Sequence, residues 1–113
     1  MNENYIIVYN VKENKYSWSK RLYELLEIEP KEEDAYRNIL IEHIVEGDVD
    51  IIKENLSKLT PNNPEVEYTF RVSTKSNNIK FLTCAAFAVF DRNHTLRMII
   101  YFFKDMTIDK ITN

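Results

Sequence analysis

The last third of the chain decides the fold: residues 79–90 read IKFLTCAAFAVF, residues 91–94 read DRNH, and residues 95–107 read TLRMIIYFFKDMT. The first and last of these segments are rich in aromatic and β-branched residues, and the segment between them is short and polar. This composition is typical of two antiparallel strands joined by a turn. Both apolar runs are too short and too interrupted to cross a membrane as a helix. The sequence therefore predicts a long hairpin at the centre of an antiparallel sheet.

Both faces of this predicted hairpin are apolar. Side chains alternate between the two faces of a strand. One face therefore collects a set of seven apolar residues: Leu82, Cys84, Ala86, Ala88, Ile99, Tyr101 and Phe103. The opposite face collects six large ones: Phe81, Phe87, Val89, Met98, Ile100 and Phe102. Antiparallel sheets usually leave one face wet and polar, so we expect both faces of this hairpin to be covered.

Length, charge and cysteine content restrict the possible functions. The chain has 113 residues and a net charge of -3, so we expect one domain that binds neither nucleic acid nor an anionic membrane. A single cysteine and a single glycine exclude an internal disulfide, a cysteine-rich zinc site and a glycine-rich phosphate loop. The sequence shows no signal peptide and no transmembrane run. We therefore expect a cytoplasmic protein without direct membrane insertion.

The first two thirds of the chain predict three further strands and three helical segments. The strands are expected at residues 5–11, 16–18 and 65–74, and the helical segments at residues 20–27, 32–45 and 49–59. Ser19 and Asp48 stand before two of these helices and are suited to cap them. The middle segment is expected to bury Tyr36, Ile39, Leu40 and Ile44. The order β-β-α-α-α-β-β-β predicts an α+β fold with one antiparallel sheet and helices packed on one face.

Short motifs along this order resemble those of PAS domains, the small sensory modules of signalling proteins. Residues 16–30 (YSWSKRLYELLEIEP) resemble the family's second strand and first helix, with Glu27 in place of the usual glycine. Asp48 matches the last residue of a His-Pro-x-Asp motif. Residues 71–77 (RVSTKSN) resemble the family's Arg-x-x-x-Lys-Asp-Gly hairpin, and residues 105–107 (DMT) match its closing Asp-x-Thr motif. Asn77 and Asn78 are suited to the positive-φ positions of that turn.

The resemblance implies a five-stranded antiparallel sheet in the order 2-1-5-4-3. It implies a single sensor domain over residues 1–113, with a core at about residues 5–107 and the start of a C-terminal linker at residues 108–113. The effectors of such domains in bacteria are commonly histidine kinases, the sensors of two-component systems, and diguanylate cyclases. We therefore expect a C-terminal effector domain in the full-length protein.

The inner face of this sheet is the candidate ligand cavity. The candidate residues come from four strands: Trp18, Tyr68, Phe70, Val72, Leu82, Cys84, Ala86, Ile99, Tyr101 and Phe103, beside Val66. The small residues among them either complete packing against aromatic rings or leave room for a small apolar ligand that hydrogen-bonds to Trp18, Tyr68 or Tyr101. Tyr101 stands where relatives often have glycine, so its ring is suited to fill the cavity. Cys84 is interpreted as a small core residue.

Neither flavin nor haem is expected. The light-sensing LOV subclass holds flavin with Asn, Asn and Gln at positions that correspond to the apolar Val72, Leu82 and Phe103. Haem-binding relatives carry a histidine in the helix expected at residues 49–59, whereas His43 and His94 lie elsewhere. The sequence offers no nucleophile with a base and no pair of carboxylates for catalysis. An enzyme on a cone-like α+β fold, which we also considered, would require such groups on the inner face.

The outer face of the sheet is the candidate association surface. The side chains of Phe81, Phe87, Val89, Met98, Ile100 and Phe102 exceed what monomers usually expose, and burying half of their area would contribute on the order of 5–9 kcal/mol. We expect a homodimer through this face, or a flanking helix that covers it. A ligand-free dimerisation module is the alternative to a ligand sensor. The expected signal exit is Asp105 and Thr107, with Asp105 paired to Arg71 or Lys104 and Thr107 capping a following helix.

Overall fold

The computed structural model describes residues 5–108 of the chain; of the expected linker, residues 109–113 lie outside the described residues. The strands are β1 (Tyr5–Asn10), β2 (Lys15–Trp18), β3 (Glu65–Ser73), β4 (Ile79–Phe90) and β5 (Leu96–Asp105). The α-helices are α1 (Lys20–Leu26) and α2 (Val49–Leu56), and two 3-10 helices lie between them, at Glu32–Tyr36 and Ile39–His43. The sheet order β2-β1-β5-β4-β3 and the antiparallel pairing of all neighbours confirm the expected topology.

Two polar turns hold the last three strands in consecutive hairpins. At the tip of β4 and β5, the Asp91 carboxylate accepts hydrogen bonds from the amides of Asn93 (2.8 Å) and Thr95 (3.0 Å), which lower its pKa. Between β3 and β4, Asn77 adopts a positive φ of 67°, as expected. Asn78 does not adopt one, contrary to the expectation, because a single left-handed residue completes this turn.

The predicted alternation of side chains is confirmed along β3 and β4. Every second residue of β3, from Val66 to Val72, is buried, and so is every second residue of β4, from Leu82 to Ala88. These side chains meet a helical layer whose largest buried contributions are Leu22 and Leu26 of α1. The core therefore lies on one side of the sheet only, between its inner face and the helices.

The predicted helix at residues 32–45 is wrong in type. Of its expected buried face, Ile39 and Leu40 are buried and Ile44 packs against the core, whereas the expected burial of Tyr36 is wrong. The segment forms two 3-10 helices separated by an extended residue, Arg37, with φ -145° and ψ 153°. Because a 3-10 helix has three residues per turn, and because Arg37 redirects the chain, Tyr36 points outward and is 62% exposed. Asp34 takes the inward position instead and is 6% exposed.

The two expected helix caps have other partners. Neither Ser19 nor Asp48 makes a side-chain capping bond. The Ser19 hydroxyl accepts a hydrogen bond from the amide of Ile6 at 2.9 Å, which joins the start of α1 to β1. The Asp48 carboxylate binds Arg71 on β3 through three donors, the backbone amide (2.8 Å), Nε (2.9 Å) and Nη2 (2.8 Å). These bonds, chiefly those from the guanidinium, lower the pKa of Asp48.

The segment before α2 also covers the open edge of the sheet. β3 is an edge strand, and edge strands offer unpaired backbone groups to other chains. Here the amide of Val45 donates to the Arg71 carbonyl at 3.0 Å, Ile44 forms a bridge with Val72, and Asp48 accepts from the Arg71 amide. Part of this edge is thus occupied by the chain itself.

Candidate ligand cavity and association surface

A small cavity lies between the inner face of the sheet and the helical layer. Its volume is about 100 Å³. Four of the candidate residues line it: Tyr68, Phe70, Tyr101 and Phe103. The other six candidates are not part of its lining: Trp18, Val72, Leu82, Cys84, Ala86 and Ile99. Among these, Val72, Leu82, Cys84 and Ala86 are fully buried in the core.

Aromatic rings occupy much of the space above the sheet. The rings of Tyr101 and Phe103 stack with centroids 6.3 Å apart and planes 9° apart. Phe70 meets Phe103 edge to face at 6.0 Å, and Tyr68 lies 5.8 Å from Phe70. Because these rings fill the area over the small residues of β4, the cavity has room for only a few non-hydrogen atoms.

The buried hydroxyl and thiol groups of this region are neutral at physiological pH. Tyr68 and Cys84 face each other across β3 and β4. Burial raises the pKa of Cys84 to about 12. Burial also raises the pKa of Tyr68 and of Tyr101 above their usual range. The cavity can therefore offer un-ionised hydroxyl groups to a ligand, and the side chains of Asn38 and Lys53 also line it.

Several cavity residues were missed by the sequence analysis. They come from β1, β2 and the helical segments: Ile7, Tyr16, Leu40, Ile44, Ile52 and Leu56. Leu40 and Ile44 were each expected on a buried helix face, but helical periodicity does not indicate which strand residue lies opposite. Tyr16 could have been found from its partner, since Tyr9 and Tyr16 pair across β1 and β2 and their rings stack at 4.4 Å.

Trp18 lies apart from the cavity. Its ring packs against Tyr23 of α1, with ring centroids 4.9 Å apart, and Trp18 is not among the cavity's lining residues. Its indole Nε1 is buried and has no hydrogen-bond partner among residues 5–108. Trp18 therefore serves the packing of α1 on β2 rather than the wall of the cavity.

The outer face of the sheet carries a continuous apolar surface. Phe87 and Phe102 meet edge to face at 5.6 Å, and Val89 and Phe102 are 43% and 42% exposed. The register places the remaining members beside them: Phe87 faces Ile100, and Val89 faces Met98. β1 extends the surface with two residues that the sequence analysis missed: Ile6, which faces Phe102, and Val8, which faces Ile100. We call these seven residues, with Phe81 on β4, the outer apolar surface.

The end of β5 is fastened to the start of β4. The Asp105 carboxylate accepts hydrogen bonds from the amide and the hydroxyl of Thr107. The Thr107 hydroxyl oxygen in turn accepts from the Phe81 amide at 3.0 Å, and the Met106 amide donates to the Phe81 carbonyl at 2.7 Å. The expected pairing of Asp105 with Arg71 is wrong, because Arg71 is held by Asp48. The helix that Thr107 was expected to cap would extend beyond residue 108, so this expectation lies outside the described residues.

Residues 5–108 contain neither a membrane-spanning helix nor a cluster of metal ligands. No helix in this range is long and apolar enough to span a membrane. No three His, Cys, Asp or Glu side chains in the same range come together in a way that could hold a metal ion. The three positions that correspond to the flavin-binding residues of LOV domains, Val72, Leu82 and Phe103, are buried and apolar.

Comparison with known proteins places the fold. No protein-family model and no curated protein sequence matches the chain. Among solved structures, the N-terminal domain of a diguanylate cyclase with a PAS/PAC sensor from Marinobacter aquaeolei superposes with a TM-score of 0.77 at 12% identity, over 96% of this chain and 99% of that one. A sensory box histidine kinase/response regulator from Burkholderia thailandensis gives 0.75 at 15% identity, over 96% and 81%.

A third similar structure carries a bound molecule. The PAS-B domain of Drosophila melanogaster Cycle, solved with bound ethylene glycol, gives a TM-score of 0.70 at 15% identity, over 89% of this chain and 98% of that one. Each of these structures is at most 15% identical to this chain, yet each superposes on it with a TM-score of 0.70 or more. The five-stranded antiparallel sheet with helices on one face is the fold of a PAS domain, and this chain has that fold.

Proposed function

We propose that this domain is the sensory or regulatory module of a bacterial signal-transduction protein. The observation that carries the proposal is the composition of β5. Its residues Tyr101 and Phe103 line the inner cavity, whereas Ile100 and Phe102, which alternate with them, belong to the outer apolar surface. A ligand that moves β5 on one face would therefore alter packing on the other, and the strand ends in the Asp105–Thr107 junction.

The proposed mechanism is a shift between two packings of the helical layer on the sheet. A ligand changes their populations only by the difference between its affinities for the two states. The outer apolar surface supports a homodimer as the responding assembly. A C-terminal effector such as a histidine kinase or a diguanylate cyclase is part of this proposal, as is a cytoplasmic location. The domain itself is proposed to be non-catalytic.

The proposed ligand is small, uncharged and largely apolar, and no flavin or haem is expected. A cavity of about 100 Å³ is well below the range of roughly 300–1,000 Å³ that drug-sized ligands and cofactors occupy. Ethylene glycol, named in the structure of the Cycle PAS-B domain, illustrates the size class. Tyrosine hydroxyls at Tyr16, Tyr68 and Tyr101 are the proposed hydrogen-bonding groups.

The proposed homodimer through the outer apolar surface is tested by Phe102→Glu, with Thr69→Glu as the matched control. Both positions are exposed and on the outer side of the sheet, but Thr69 lies on the edge strand, where it faces Thr83 rather than an apolar side chain. We expect wild type and Thr69→Glu to sediment as dimers at tens of micromolar and Phe102→Glu to sediment as a folded monomer, because the charge would have to be buried without a partner. A wild-type monomer under these conditions would contradict the proposal.

The proposed binding of a small ligand in the inner cavity is tested by native mass spectrometry of the purified protein and by the variant Tyr101→Ala. Removal of the ring adds on the order of 100 Å³ to the cavity, which then approaches the size that admits benzene. We expect benzene to raise the melting temperature of Tyr101→Ala but not that of wild type. Equal effects on both proteins would mean that the cavity is not where small apolar molecules bind.

The alternative is a ligand-free dimerisation module. The small volume of the cavity and the stacked rings of Tyr101 and Phe103 favour it. In native mass spectra this module would appear as a dimer without added mass, both as purified and after incubation with ethylene glycol. A ligand sensor would show a reproducible added mass on each protomer.

A further inference from the structure

A second and larger cleft lies on the other side of the helical layer. Its volume is about 380 Å³, and none of its lining residues is shared with the inner cavity: Ile39 lines the cleft, whereas its neighbours Asn38 and Leu40 line the inner cavity. Three acidic and three basic side chains face the cleft: Glu29, Lys31, Asp34, Arg37, Glu42 and Lys75. We call this site the charged cleft.

Two backbone hydrogen bonds and one from the His43 ring fix the walls of the charged cleft. The Lys75 amide donates to the Leu26 carbonyl at 3.1 Å, which joins the turn after β3 to the end of α1. His43 is hydrogen-bonded through Nδ1 to the Ser73 carbonyl at 3.2 Å, so the second 3-10 helix is tied to the same turn. The Asp34 amide donates to the Lys31 carbonyl at 3.1 Å. The charged groups are therefore carried by three segments that are already connected.

Asp34 is the unusual member of the charged cleft. It is 6% exposed, and its Oδ1 has no hydrogen-bond partner among residues 5–108. The nearest cationic group given by the structure, Arg37 Nη2, lies 3.6 Å from Oδ1, beyond hydrogen-bond range. Buried carboxylate oxygens are normally hydrogen-bonded, since an unmet one is costly. Oδ1 of Asp34 thus lacks an N–H donor among residues 5–108.

Arg37 does not supply that donor because it is engaged elsewhere. Its Nη1 lies 2.8 Å from Glu42 Oε2, and its side chain is 58% exposed. Such a side chain is free to rotate further toward Glu42, which would open a path from the cleft to Asp34 Oδ1. Lys31 and Lys75 remain on the other walls of the cleft and are both exposed, so they are accessible to an anionic group.

We propose that the charged cleft binds a small zwitterion of the α-amino acid class. The ligand's ammonium group donates to Asp34 Oδ1, and its carboxylate pairs with Lys31 and Lys75. The equal numbers of acidic and basic side chains favour a ligand that is neutral overall but has separated charges. A simple anion would leave Asp34 without a donor, and a simple cation would leave the lysines unmatched. This inference goes beyond the sensory function proposed above and does not depend on it.

The experiment is a titration of the isotope-labelled protein with L-alanine, followed by two-dimensional amide NMR. Acetate and methylammonium serve as probes that carry only one of the two charges. We expect L-alanine to cause saturable shifts at the amides of Asp34, Arg37 and Lys75 and none at Tyr101 in the inner cavity. We expect the affinity for each single-charge probe to be at least about tenfold lower than the affinity for L-alanine, because each probe lacks one of the two ion pairs.

Asp34→Asn is the test variant and Asp50→Asn the matched control, because Asp50 is exposed on α2 and outside the cleft. Asn is isosteric with Asp and keeps the shape of the site, so circular dichroism should be unchanged in both variants. We expect Asp34→Asn to abolish the L-alanine shifts and Asp50→Asn to leave them intact. The proposal is overturned if L-alanine causes no saturable shift, if acetate binds as tightly as L-alanine, or if Asp34→Asn still binds. Each of these results leaves the tests of the inner cavity and the outer apolar surface unaffected.

Discussion

The bond between Asp48 and Arg71 offers a sharp test of how the helical layer is held to the sheet. Asp48→Ala removes the acceptor of three hydrogen bonds at 2.8–2.9 Å. The bond from the Arg71 backbone amide is partly buried, and its loss would cost about 1.5–3 kcal/mol, the range for a hydrogen bond to a charged group. The two guanidinium bonds add less, because the Arg71 side chain is 43% exposed and water can replace them.

The expected loss of stability is therefore about 2–4 kcal/mol in the free energy of unfolding at pH 7. For a chain of this length, such a loss corresponds to a fall in melting temperature of roughly 8–15 °C. Glu46→Ala is the matched control, since Glu46 is an exposed acidic residue two positions before Asp48. Urea unfolding of both variants and of wild type gives the comparison directly.

The pH dependence of this difference separates a charged bond from simple packing. The folded-state pKa of Asp48 lies below its usual value, so its contribution is complete above the pKa of the unfolded chain, about 4. It decreases as the pH falls through the folded-state pKa. We expect the difference between wild type and Asp48→Ala to be constant from neutral pH to about pH 5 and to shrink below pH 4. A difference no larger than that of Glu46→Ala, or one that stays constant down to pH 2, would refute the reasoning.

Two further predictions concern other buried groups. Because the pKa of Cys84 is about 12, only a fraction on the order of 10⁻⁴ is thiolate at pH 8; we expect a disulfide reagent to modify it only after addition of denaturant, and rapid modification of the native protein would contradict this. Thr107→Val removes the acceptor of the Phe81 amide and the donor to Asp105, so it should cost about 1–2 kcal/mol in urea unfolding. The control Thr95→Val, at an exposed turn position, should lower the free energy of unfolding much less. Similar losses of stability in both variants would contradict a stabilising role of the Asp105–Thr107 junction.

The strand part of the fold was predictable from the sequence because its signal is local. In β3 each second side chain is apolar, and this period of two gives the buried face without knowledge of any partner. β4 is apolar on both faces, so its inner face followed only from the family resemblance. The composition of the hairpin at residues 79–107 also gave its position in the sheet, since a hairpin that is apolar on both faces belongs at the centre. The outer apolar surface follows from the same alternation, apart from the contributions of β1.

The helical segment between α1 and α2 was not predictable in the same way. Apolar residues recur in it at spacings that suit an α-helix, but two 3-10 turns separated by Arg37 accommodate them equally well. Tertiary hydrogen bonds decide between an α-helix and two 3-10 helices. His43 bonds to Ser73 and Val45 bonds to Arg71, and these bonds hold the segment along the edge of β3. No periodicity in the sequence encodes these bonds, so Tyr36 was assigned to the wrong face and the burial of Asp34 was not predicted.

The hydrogen-bond partners of the polar motif residues were also not predictable from the sequence. Ser19 and Asp48 have the residue types and positions of helix caps, and Asp105 has bases near it in the sequence. Each instead satisfies a backbone amide: that of Ile6, of Arg71 and of Thr107. A short polar side chain binds whichever donor tertiary packing brings within reach, and two of these three donors are distant in sequence. The polar side chains that form these bonds could be identified from the sequence, whereas the backbone amides that they bind could not.

Glu27 illustrates how a departure from the PAS pattern is accommodated. It ends α1 in the left-handed region, at φ 64°, where glycine is normally preferred. Its carboxylate accepts hydrogen bonds from the amide and the hydroxyl of Ser76, at 2.9 and 2.6 Å, which lower its pKa. Glycine could adopt the backbone conformation more easily but could not make these bonds. The side chain thus joins α1 to the turn that carries Lys75, and in this chain the position usually taken by glycine helps to hold one wall of the charged cleft.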